Sequence, residues 1–412
     1  MKLLTGGKKP KGKMRKLVSE PTPAFVQAIN NGLNHWLSET IDLDAESIRE
    51  IDPQKDNLFQ ILEYGLQLPN LWEPIAELMI QAFPLPDRNG YWKLWVSKLK
   101  IVISNGPKSP TPNLVRLQIN YGKLLRVLWQ LEEAINAHLI AMHNAKITKD
   151  EYLLANVMME MGWDYLWQND LDNAKISGQK ALQIYKSLQN HKTIQMVDTM
   201  RLLGLVETRQ GNVAKAIKLL REALGGAKKI DMPVVVARTC MGLGLAYREQ
   251  QNIPEAMECF GMASDVLLNT TYENDKVDVF VNFGLLYFDQ GMWEAAGYAF
   301  NRANNQYLRE SGDLKQQAIL WNNLGNVYLK QLKFGDAENY LLEALELWPE
   351  INDEIQWANT LLTLAEVYLL QARKNEAENL IEDAFEKVKK YPNHAWAVEI
   401  KEELKELQNR EA

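Results

Sequence analysis

The chain has 412 residues, 46% hydrophobic and 24% charged, which excludes a disordered or collagen-like polymer and leaves two or three ordinary domains or one extended repeat array. Its 46 Lys and Arg against 53 Asp and Glu give a formal charge of -7, which argues against wholesale nucleic-acid binding. Only two cysteines, Cys240 and Cys259, and the lack of a signal-peptide pattern predict a reducing, cytoplasmic setting; no run of about 18 apolar residues predicts a membrane span.

The charge is uneven from the first residue. Positions 1–16 carry Lys2, Lys8, Lys9, Lys11, Lys13, Arg15 and Lys16 and no acid, so residues 1–19 are predicted to form a basic, disordered tail on an acidic body. Within it, Gly7 to Met14 matches the GxxxxGK half of a phosphate-binding loop. Met14 stands where that loop needs a magnesium-binding Ser or Thr, and no strand pattern flanks it, so no nucleotide site is predicted. Eleven of the fifteen prolines lie in the first 112 residues, so long uninterrupted helices are expected only beyond Pro112.

Beyond that point the chain repeats. Gly122, Gly162, Gly204, Gly244, Gly284, Gly325 and Ala365 follow one another at spacings of 40, 42, 40, 40, 41 and 40. Twelve residues after each stands an alanine: Ala134, Ala174, Ala216, Ala256, Ala296, Ala337 and Ala377. Seven further on stands another: Ala141, Ala181, Ala223, Ala263, Ala303, Ala344 and Ala384. Alanines seven apart share a helix face, and recurring small residues mark close helix crossings. Tyr165, Tyr247, Tyr287, Tyr328 and Tyr368 stand three after the anchor, and turn signals such as Gln210-Gly211-Asn212 and Gln290-Gly291 divide each unit into two helices. A hairpin of this kind buries its apolar face only by stacking on the next.

A small residue, Tyr, Ala and Ala at fixed offsets, with Trp321 and Pro349 completing the pattern in the sixth unit, resembles the tetratricopeptide repeat. At about 40 residues the unit exceeds the usual 34, which resembles the arrays of kinesin light chains and the sensor regions of bacterial signalling ATPases. The resemblance implies an all-α, right-handed solenoid with seven repeats over residues 111–390. Phe83 falls in the anchor slot 39 residues before Gly122, in a unit interrupted by Pro84 and Pro86, so residues 20–110 read as a helical N-terminal cap that includes a degenerate repeat. Residues 391–412 read as a C-terminal capping helix.

The resemblance further implies that the first helix of each hairpin lines a concave groove, through residues six and three before the anchor and one, four and five after it. Over the first four units these slots hold Arg116, Lys123, Arg126, Arg201, Arg209, Arg238 and Arg248 against Asp198 and Glu249, with Trp163 and Trp167 as aromatic footholds. The last three units supply Phe288, Asn322, Asn326 and Lys330 with Asp278, Asp289 and Glu366. The expectation is a cationic trough that receives an acidic peptide or the anionic face of a partner protein, since the planar fork of Arg grips carboxylates. Arg201, Arg238 and Arg248 are expected to tolerate charge reversal with helicity intact and binding lost.

His35, His138, His143, His191 and His394 form no ligand grouping, so no metal or cofactor is implied. No nucleophile stands with a base in a recognisable pattern, and the chain reads as a non-enzymatic adaptor or regulatory subunit, or as a sensor acting on a separate effector. The acidic body and the lack of a base-reading code weigh against nucleic acid.

Overall fold

The computed structural model describes residues 21–411 except 42, 44, 69, 189–192 and 304, so the basic tail and His191 lie outside the described residues. Within them, helices Pro23–Glu39 (α1), Ala45–Ile51 (α2), Lys55–Gly65 (α3), Trp72–Gln81 (α4), Pro84–Asn89 (α5) and Trp92–Ser104 (α6) form an N-terminal bundle. Trp36, Leu58, Leu62, Ile75, Met79 and Trp95 fill its core. The helix that would carry the Phe83 anchor ends at Gln81, and α5 starts afresh on Pro84.

Seven hairpins follow. They pair Pro112–Val127 (α7) with Leu131–Thr148 (α8), Glu151–Trp167 (α9) with Leu171–Ser187 (α10), and Ile194–Arg209 (α11) with Val213–Ile230 (α12). Next come Pro233–Glu249 (α13) with Ile253–Leu267 (α14), and Glu273–Asp289 (α15) with Trp293–Arg302 (α16) and Asn305–Ser311 (α17). The last are Leu314–Lys330 (α18) with Phe334–Ile351 (α19), and Glu354–Leu370 (α20) with Lys374–Val388 (α21). Ala395–Glu411 (α22) covers the final pair, burying Ala397, Ile400, Leu404 and Leu407.

Local chemistry starts and stops these helices. Thr111, Asp150, Thr193, Asp313 and Asp353 each accept from a backbone N–H three residues on, the N-cap of five first helices. Each hairpin turns through a left-handed residue seven after the anchor: Trp129, Asn169, Gly211, Gln251, Gly291, Leu332 or Ala372. The next backbone N–H then donates to the carbonyl five residues earlier, as from Gln130 to Leu125 at 2.9 Å and from Arg373 to Tyr368 at 2.8 Å, which satisfies an otherwise orphaned helix-end carbonyl.

All fourteen repeat alanines are buried, none more than 3% exposed. The anchor glycine makes room for the side chain sixteen residues later on the partner helix. A Cβ on Gly122, Gly204, Gly244, Gly284 or Gly325 would overlap His138, Leu220, Phe260, Phe300 or Leu341 respectively. In the second unit both slots are glycine, and Leu202 of the next hairpin fills the space at Gly162.

The fifth hairpin departs from the expected uninterrupted helix. Ala303 is extended (φ -60, ψ 135), and α17 follows on a new course; Asn301 and Asn305 on either side of it have low helix propensity. Tyr307 and Leu308 still join the core, but the end of α17 meets the N-terminal bundle. A Cβ on Gly90 would sit 2.8 Å from Ser311 Cα, so this crossing admits only glycine. Alongside, Trp129 packs against the cluster of Ala318, Trp348 and Ile351, and Lys315 Nζ lies 3.1 Å from its ring centroid. Lys315 also pairs with Asp353 at 2.8 Å. The solenoid thus closes on itself, the first turn against the sixth hairpin.

Two tests follow from this packing. Gly244→Ala should lower stability by about 1–3 kcal/mol in urea unfolding, because Phe260 occupies the space, whereas Gly225→Ala, with nothing near its Cβ, should be neutral or gain about 0.5–1 kcal/mol. Trp129→Ala should open the seam and raise the radius of gyration in X-ray solution scattering, with helicity unchanged.

Candidate functional site

The first helices of successive hairpins face the inside of the bend. Every slot residue of the first four units lines one of three adjoining concavities there, of about 1010, 450 and 230 Å³. The largest spans the second to fifth hairpins and includes Trp163, Trp167, Arg201, Arg209, Arg238 and Arg248. Arg116 and Lys123 line the second, and Arg126 the third.

Carboxylates meet most of these cations. Arg126 pairs with Glu160 at 2.6 Å and Asp164 at 2.7 Å, and its side chain is only 12% exposed. Arg238 makes a two-pronged contact with Asp275 at 2.6 and 2.9 Å, and Arg248 pairs with Asp289 at 2.6 Å. Arg201 pairs with Asp198 at 2.5 Å and covers the face of Trp163, whose indole N–H donates to the same aspartate at 3.0 Å. Burial raises the Asp198 carboxyl, but Arg201, with Arg238 and Lys123 behind it, outweighs that and holds it below the usual range. Glu160 and Asp275, which lie outside the implied slots, therefore neutralise much of the trough. Glu160 stands two residues before its anchor and Asp275 nine before its own, so no single repeat offset marks them in the sequence.

Trp163 is buried in these contacts, whereas Trp167 remains 43% exposed in the concavity. Lys123 lies 3.9 Å from Glu160, and Arg116 donates to Asn113. Arg209 donates to the Leu166 carbonyl at 2.7 Å. Farther along, Lys330 pairs with Glu366 at 3.7 Å, Phe288 packs on Trp293, and Asn326 donates to the Asn322 carbonyl while accepting from Thr363. Asn322 is buried, with its side-chain oxygen unpaired. Charge reversal at Arg201, Arg238 or Arg248 would set a new carboxylate against Asp198, Asp275 or Asp289, so a cost in stability is expected alongside any effect on binding.

Sequence comparison bears on the same hairpins. The tetratricopeptide-repeat model matches residues 153–229, 275–350 and 316–390. The chain is a tetratricopeptide-repeat protein. A Rap protein complexed with Competence and Sporulation Factor is similar in structure, with TM-score 0.60 and 16% identity over 92% of this chain and 99% of that one. The Cut9–Hcn1 hetero-tetramer of the APC/C gives TM-score 0.57 and 16% identity, covering 92% and 63%. A STAND protein with a tetratricopeptide-repeat sensor from Pyrococcus horikoshii gives TM-score 0.53 and 13% identity, covering 84% and 54%. At such identities the likeness shows the fold. No curated protein matches the sequence.

Elsewhere the repeats absorb their polar residues. His138 fills the Gly122 hole, its ring nitrogens 2.5 Å from Asp164 and 3.2 Å from the Ile119 carbonyl. Burial pushes the thiols of Cys240 and Cys259 up to about 12 and about 11. Among the described residues, no helix is long and apolar enough to cross a membrane, and no three His, Cys, Asp or Glu side chains gather as a metal site would require.

One carboxyl in the largest concavity is unusual. Burial, then the charges of Asp275 and Asp313, push Asp278 up to about 8, with Arg238 and Arg201 offsetting only part. Such a group holds its proton more tightly folded than unfolded. Its contribution is complete below about pH 4 and is lost as pH climbs through about 8. Asp278→Asn should therefore raise the thermal unfolding midpoint more at pH 9 than at pH 5, and an equal gain at both would contradict this account.

Proposed function

We propose that this repeat array is a non-enzymatic adaptor or regulatory subunit whose concave channel holds a peptide or an extended segment of a partner protein. The observation that carries the reading is the lining itself: the first helices of successive hairpins contribute apolar, hydrogen-bonding and doubly signed charged groups to one concavity. A peptide offers the matching mixture of side chains, amides and charges. The similar Rap structure, which holds a bound factor, supports a binding role for the fold. The expected acidic character of the partner rests on the cations that carboxylates leave unneutralised, a smaller set than the slot residues alone imply.

The seam between the first turn and the sixth hairpin favours a second reading, a sensor subunit that changes curvature when its channel fills and acts on a separate effector. Selection of a random heptapeptide library on the full chain tests the first reading. Recovered peptides should bind at least about tenfold more weakly to Leu245→Arg, which fills the concavity, with circular dichroism unchanged. Failure to recover any peptide, or equal affinity for the variant, would sink it. A fall in the radius of gyration on peptide addition would select the sensor over the adaptor.

A further inference from the structure

Two channel arginines hold no carboxylate among the described residues: Arg116, which donates to Asn113, and Arg209, which stands beside the exposed Trp167. Arg126, Arg201, Arg238 and Arg248 each hold one. Among the described residues the one hydrogen bond of Arg209 goes to the Leu166 carbonyl, and its guanidinium lies 6.0 Å from the Trp167 ring. The surrounding protein lowers its pKa by desolvation, yet the residue stands exposed in the concavity.

The surroundings are built. Trp167 stands edge to face with Trp129 at 5.3 Å, and Lys315 caps Trp129 from the other side. Burial also lowers the Lys315 pKa; Asp353 opposes that, while the charge of Arg209 adds to it. Two cations and two indoles thus converge where the first three hairpins meet the sixth, and Arg209 and Trp167 both line the largest concavity. Arg209 is exposed to the channel and holds no protein carboxylate among the described residues, so its planar fork is open to one carboxylate of a ligand. The exposed indole beside it suits an apolar group attached to that carboxylate.

We propose that Arg209 is the anion subsite of the channel and takes one carboxylate of the ligand, with the adjoining apolar side chain laid on Trp167. This rests on the reading of the channel as a peptide site and sharpens it. Asp198, Asp275 and Asp289 already occupy Arg201, Arg238 and Arg248, so further carboxylates of a polyacidic stretch would find those cations taken. The ligand is a segment with a single carboxylate at a fixed position, such as a chain terminus that ends in an apolar residue.

The test uses the full chain and two small probes, N-acetylleucine and its carboxamide. The indole N–H resonance of Trp167, identified by its loss in Trp167→Phe, should shift saturably with the acid and not with the amide. The shift should vanish in Arg209→Gln, persist in part in Arg209→Lys, and be unchanged in Lys180→Gln on the outer face. An equal response to acid and amide, or an undiminished response in Arg209→Gln, would overturn the subsite. If an Arg209-dependent shift occurs yet no peptide is recovered from the library, the subsite stands and the peptide reading fails. Recovered peptides that bind Arg209→Gln as tightly as the parent chain would overturn the subsite and leave the peptide reading standing.

Discussion

Two helices of a hairpin can cross closely only where one of them offers little or no side chain, and in five hairpins of this chain that place is occupied by the residue the partner helix sends across sixteen positions later. Leu220, Phe260, Phe300 and Leu341 enter the glycine holes of their own hairpins, and His138 does so in the first. Each insertion sets the angle and depth of its hairpin, and the two buried alanines on the second helix let the neighbouring hairpin approach. Because the same insertion recurs at nearly constant spacing, each unit adds nearly the same small rotation. A curved array with its first helices inside is the geometric sum.

The turns keep that sum coherent. A left-handed residue seven after every anchor and the bond that closes behind it give all seven hairpins one turn geometry, even where the residue is Trp129, Leu332 or Ala372 rather than glycine. The one irregularity among the described hairpins, at Ala303, falls where the array meets its own beginning. There α17 is re-aimed onto Gly90, and Trp129 is clamped between Lys315 and Trp167. The channel is thereby bounded on its open side as well as by the stacked hairpins.

Electrostatics inside the channel follow from the same stacking. Neighbouring first helices place an arginine of one unit against a carboxylate of the next, as in Arg126 with Glu160, Arg238 with Asp275 and Arg248 with Asp289. Such pairs offset the desolvation of both partners and orient the side chains, but they leave little net field for drawing in an acidic ligand. The exposed face of Trp167, Arg209 and the high-pKa Asp278 stand outside this pairing.

The sequence by itself determined what repeats along a helix. The anchors, both alanine registers, the hairpin division and the slots that face the bend are all periodic and local, so they are legible without coordinates, and the slot residues of the first four units do line the concavities. Tertiary structure alone decided which charges meet and where the array closes. Arg238 and Asp275 are 37 positions apart, and Trp129 meets Lys315 only after five further hairpins have each added their rotation. Contacts within a helix depend on a fixed 3.6-residue period, whereas contacts around the superhelix depend on the accumulated angle between units, which small packing differences set and no local pattern records.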